Sequence, residues 1–128
     1  MEGYAQIAAL LKAVAHPARL QILAALRQGE ACVCHLEMVL GYRQAYISQQ
    51  LMRLREAGLV VDRREGMYVF YTLANDAIAR MLDVAQETAD ALARAKGKQL
   101  QLPLLPQGAA PGCTCLLCQP KGADAQVA

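Results

Sequence analysis

No stretch of this sequence approaches the ~18 uncharged apolar residues that a membrane helix requires, and no secretion signal opens it. The expectation is a soluble, cytoplasmic protein with no membrane partner. Catalytic patterns are missing as well. There is no glycine-rich phosphate loop, no paired-carboxylate arrangement and no nucleophile–base spacing, so an enzyme is not expected. A strong overall charge is also lacking: thirteen Lys and Arg against eleven Asp and Glu give a net charge of +2. Cysteine occurs five times, an odd number. In a chain expected in the cytosol, where thiols stay reduced, this excludes a disulfide framework.

What is present fits one domain of ordinary size: 128 residues, 55% hydrophobic, much of it Ala and Leu in helical runs. Residues 4–14 read as a helix that is apolar nearly all round, hence buried or facing a second copy. His16-Pro17 breaks it, and the next helix runs to about Arg27 with Leu20, Leu23 and Leu26 inward, ending at Gly29. His16 is expected to cap or pack at that break. Asn75 or Asp76 caps a long helix to about Lys96, with Ile78, Met81, Leu82, Ala85, Ala89 and Leu92 on one face. That stripe exceeds what a small core can cover, so a twofold dimer through the first and last helices is expected. After Lys96 periodicity stops, and four prolines and four glycines mark residues 97–128 as a flexible tail beside a domain of residues 1–96. A segment at 100–105 could lie on the body.

The centre of the chain carries the most information. Residues 45–57 place Ile47, Leu51 and Leu54 on one helical stripe. The other faces carry Gln44, Tyr46, Ser48, Gln49, Gln50, Arg53 and Arg55, with Glu56 the only nearby acid. Amides and guanidiniums pair with base edges, and hydroxyls and guanidiniums also reach phosphates. A shorter helix at 33–40 and the break Gly41-Tyr42-Arg43 precede it, and Gly58 stops it. Two β-rich runs, 59–64 and 68–73, flank the turn Glu65-Gly66-Met67, and Arg63 and Arg64 lie on the first arm. The expected fold is mainly α with a small β-hairpin wing, a winged helix-turn-helix. Its expected partner is double-stranded DNA, contacted by Arg43, Gln44, Tyr46, Ser48, Gln49, Gln50, Arg53, Arg63 and Arg64.

The cysteines fall into two groups, Cys32 with Cys34 and Cys113 with Cys115 and Cys118. On a regular helix Cys32 and Cys34 would point to nearly opposite sides, so sharing an ion would require unwinding of the first turn. A C-x-C-x-x-C run in a tail has little use for a core, and soft thiolates select soft ions. Cys32, Cys34, Cys113, Cys115 and Cys118 are therefore candidate metal ligands. His35 is a candidate auxiliary ligand, and the alternatives are thiol oxidation or incidental filler.

The runs HPARLQIL (16–23), CVCHL (32–36), ISQQLMRLREAGLV (47–60) and DRREGMYVFYTL (62–73) together resemble the ArsR/SmtB family of winged-helix metalloregulators, over roughly residues 7–90. The resemblance implies a homodimeric repressor that binds an inverted-repeat operator in the apo form and releases it on binding a thiophilic ion. As(III) or Sb(III), Cd(II), Pb(II) and Zn(II) all suit thiolates. In this family CVC at this place belongs to sensors of such ions. Arsenite-type members carry a further cysteine where this chain has Glu37, so a three-sulfur site must draw on the tail. Zn(II) sensors of the family use His and carboxylates on the last helix, where this chain has no histidine. The runner-up functions are a thiol-redox-responsive repressor of the same fold and a metal-sequestering protein.

Overall fold

A computed structural model describes residues 2–103, 105 and 113. Its elements follow in the order α1 (Gly3–Val14), α2 (Pro17–Arg27), β1 (Ala31–Cys32), α3 (Val33–Leu40), α4 (Gln44–Glu56), β2 (Val60–Glu65), β3 (Tyr68–Leu73) and α5 (Asp76–Ala95). This is the mainly α winged helix-turn-helix expected, with boundaries set by local chemistry. Pro17 occupies the first turn of α2, where its missing N–H costs nothing. Asn75 caps α5 by accepting from the Ala77 amide. At the end of α4 the Leu59 amide donates to the Leu54 carbonyl while Gly58 takes φ +79°, a Schellman closure that a Cβ would strain. Gly41 ends α3 in the same left-handed region at φ +80°. The chain is thereby turned from α3 into α4.

Ile22, Leu23 and Leu26 of α2, Leu36 of α3, and Ile47, Leu51 and Leu54 of α4 meet Val60 and Ile78 in one aliphatic core. Leu20 departs from expectation. It is 39% exposed, because the inward stripe of α2 runs through Ala18, Ile22, Leu23, Ala25 and Leu26 instead. His16 sits at the N-cap of α2 without a side-chain cap bond, since its backbone alone supports the first turn.

The wing is part of a three-stranded antiparallel sheet in the order β1-β3-β2. The sequence points to a helix starting at Cys32 or Val33, and the strand β1 ahead of it is not legible there. Ala31 and Cys32 are too short a run to show periodicity, and they are strand only because Tyr71 and Phe70 lie beside them. One face of the sheet, with Ala31, Val60, Tyr71 and Leu73, joins the main core. On the other, Cys32 and Phe70 form a second, smaller cluster with Cys113. Leu105 also packs against the main core, so a residue of the 100–105 segment does lie on the body.

Two apolar faces remain uncovered. On α1 only Val14 is buried, while Tyr4, Ile7 and Leu11 are exposed; on α5 Val84 and Leu92 are exposed beyond the turns held by Ile78, Met81 and Leu82. No single helix among the described residues is long and apolar enough to cross a membrane.

Candidate nucleic-acid interface and thiol cluster

Burying Ile47, Leu51 and Leu54 turns the remainder of α4 outward, and Gln44, Tyr46, Ser48, Gln49 and Arg53 are all exposed. Arg43, at the N-cap, is exposed beside them. The Tyr42 hydroxyl donates to Gln21 Oε1 at 2.6 Å, and its ring lies 5.2 Å from that of Tyr46. The turn and the entrance of α4 are thereby tied to α2. Gln50 is half-buried, and its Oε1 accepts from Arg19 Nε at 2.8 Å.

The arginines of α4 and the wing are less alike than the sequence suggests. Arg55 pairs with Asp62 at 3.1 Å. Arg63 is held by Glu30 through two hydrogen bonds of 2.6 Å and by Glu65 at 2.7 Å, and its guanidinium lies 4.7 Å from the Phe70 ring centre. These carboxylates, Glu30 foremost, raise the Arg63 pKa further above its ordinary value. Arg43, Arg53 and Arg64 carry no ion pair among the described residues. Elsewhere, Arg27 on α2 pairs with Asp83 on α5, which raises the arginine pKa and lowers that of the carboxyl.

Residues 16–61, from the start of α2 to the start of the hairpin, match the family model described as bacterial regulatory protein, arsR family. The HTH-type transcriptional regulator NmtR of Mycobacterium tuberculosis is 43% identical over 84 residues, 66% of this chain and 70% of that one. The chain belongs to the ArsR family. A biofilm growth-associated repressor of Agrobacterium fabrum is 51% identical over 78 residues, 61% of this chain and 67% of that protein. Among solved structures, a homodimeric winged helix-turn-helix DNA-binding domain from Mycobacterium bovis superposes with a TM-score of 0.63 at 36% identity, covering 70% of this chain and 91% of the other. As an ArsR-family member the chain is a DNA-binding transcriptional regulator, not an enzyme.

The cysteines are placed differently from the helical picture. Cys32 lies in β1 and caps α3, its Sγ accepting from the His35 amide at 3.4 Å, whereas Cys34 lies inside the first turn. Unwinding of α3 is therefore not needed to free Cys32, because it was never helical. Cys113, 81 residues away, brings its Sγ to 3.5 Å from that of Cys32, and both residues are buried. Cys34, Val39 and Tyr68 pack around the pair. Burial lowers the His35 pKa, favouring a neutral imidazole with a lone pair. Among the described residues no three His, Cys, Asp or Glu side chains converge tightly enough to hold an ion. Cys115 and Cys118 lie outside the described residues.

Across the sheet, Cys32 is paired with Phe70 and Phe70 with Arg63. The thiol pair, the single phenylalanine and the wing arginine thus form one row on one face. Sequence reasoning gave no role to Phe70, Glu30 or Arg19. The only signal was the placing of the lone Phe mid-strand opposite an Arg-bearing arm.

Proposed function

We propose that this ArsR-family regulator is a homodimeric repressor that binds an inverted-repeat operator in the apo form and releases it when a thiophilic ion is held by Cys32, Cys113 and a further thiolate. The observation that carries this is the 3.5 Å separation of two buried sulfurs from opposite ends of the chain. Two thiolates on one tetrahedral ion of ~2.3 Å bond length stand about 3.8 Å apart, close to this spacing. Cys34, already packed on the cluster, and Cys115 or Cys118 are the candidate third donors. An ion there would supply charge neutralisation and a rigid link between the tail and β1. The chain's own residues do the rest. Anchoring Cys113 on the outer face shifts the Cys32–Phe70–Arg63 row and re-aims the wing, whose Arg64 sits on the strand next to it.

The same contact supports a second reading, oxidation. A hydroperoxide would accept the two electrons as Cys32 and Cys113 lose their thiol protons and form one S–S bond, yielding an alcohol and water. The sulfurs would close from 3.5 Å to about 2.0 Å. The two readings separate in one experiment. Operator release is followed as As(III), Cd(II), Pb(II), Zn(II) or a hydroperoxide is added to reduced protein, with mass spectrometry of the thiols. Release by an ion with all thiols intact supports the first; release only with loss of two protons supports the second.

In the DNA reading, Gln44, Ser48 and Gln49 face base edges, Tyr46 lies at the entrance, and Arg43, Arg53 and Arg64 meet phosphates. Arg64→Ala is expected to weaken binding to every sequence and to reduce the salt slope by about one. Arg63→Ala should leave that slope unchanged, because its charge is spent on Glu30 and Glu65. Titrations at several salt concentrations check both. Equal changes of slope would restore Arg63 to the phosphate contacts.

A further inference from the structure

Arg19 joins three helices. Its Nε donates to Gln50 Oε1 on α4 at 2.8 Å, and its terminal nitrogen donates to the Ala13 carbonyl at 2.9 Å, in the last turn of α1. That carbonyl is one of the acceptors a helix end leaves without an intrahelical partner. A guanidinium is planar and has donors only. With one edge fixed on Ala13, the direction of its Nε–H is fixed too. Only the oxygen of the Gln50 amide can meet it, since the opposite flip would set donor against donor.

We propose that Arg19 is a positioning residue for sequence recognition. It draws the Gln50 oxygen inward and leaves the Nε2 donors as the outward group of that side chain. Among the described residues nothing accepts from Nε2, and Gln50 is only half-buried, flanked by exposed Gln49 and, one turn on, exposed Arg53. A free glutamine reads adenine through both its groups, accepting from N6 and donating to N7. A glutamine whose oxygen is turned inward presents its donors to the groove; it suits guanine (N7, O6) or thymine (O4) and loses the N6 contact that singles out adenine. Because Arg19 also grips α1, the polarity of this contact is set by the packing of α1 on the reading head. This places a specificity determinant on α2, outside the helix that touches DNA.

The test uses the full-length reduced protein without added ion and a pool of duplex DNA with randomised half-sites, sequenced after binding. The wild type should favour guanine or thymine at the position Gln50 faces. Arg19→Ala, which releases the amide, should raise adenine there by about fivefold or more, with other positions unchanged. Arg19→Lys, which keeps a donor for Oε1, should retain the wild-type preference. Gln50→Glu has no donor and should lose it. An even weakening at all positions by Arg19→Ala would show a merely structural role and overturn the proposal. So would a preference that survives Gln50→Glu. If Arg19→Ala melts too early to assay, Gln50→Glu and Arg19→Lys decide between them: the same preference in all three proteins refutes it.

Discussion

Cys113→Ala is expected to leave operator binding by the reduced protein unchanged and to abolish its release by the effector. Cys113 lies in no element of the reading head, so its loss leaves the outward face of α4 untouched. Its sulfur is nevertheless buried against Cys32 and Phe70, where the tail could act on the sheet. Coupling between two sites is typically 1–3 kcal/mol, roughly 5–150-fold in affinity, and by linkage operator DNA must weaken effector binding by the same factor. Cys32→Ser should behave alike, and it keeps an acceptor for the His35 amide that caps α3. Cys34→Ala separates the readings: it impairs release if an ion takes a third thiolate there, and leaves it intact if Cys32 and Cys113 simply pair by oxidation. Anisotropy titrations of each variant on a selected operator, with and without effector, measure all of this. Full release by Cys113→Ala would remove the tail from the switch.

The second large effect concerns assembly. Leu11→Glu on α1 or Leu92→Arg on α5 should convert a dimer to monomers and weaken operator binding about 10²–10⁴-fold, the advantage of joining two half-site contacts. Both side chains are more than half exposed in the single chain, at 52% and 62%. A charge there costs the isolated fold little but would be buried and unpaired between copies. Leu82 is a poorer choice, since it packs against the core and its replacement would also destabilise the domain itself. Sedimentation at micromolar concentration gives the mass of each form. A wild type that sediments as a monomer, or a Leu92→Arg variant that remains dimeric, would remove these faces from the interface.

The sequence by itself determined the helices and the order of the fold, because those rest on local chemistry. Ile47, Leu51 and Leu54 recur at helical spacing, Pro17 and Asn75 mark starts, Gly41 and Gly58 mark stops, and each acts within a turn or two of itself. From them follows the outward face of α4, and the hairpin behind it reads from two β-rich runs around Gly66. What lay beyond the sequence was set by partners far away along the chain. Cys32 reads as the first residue of a helix until Phe70 pairs with it, and only then does it point to the outer face where Cys113 meets it. Arg63 reads as an unpaired cation until Glu30, 33 residues earlier, pairs with it. Gln50 reads like its neighbours until Arg19 takes its oxygen. Periodicity fixes which way a side chain leaves its own helix or strand. The group that waits there belongs to another element, and only the packing of elements brings it within hydrogen-bonding reach.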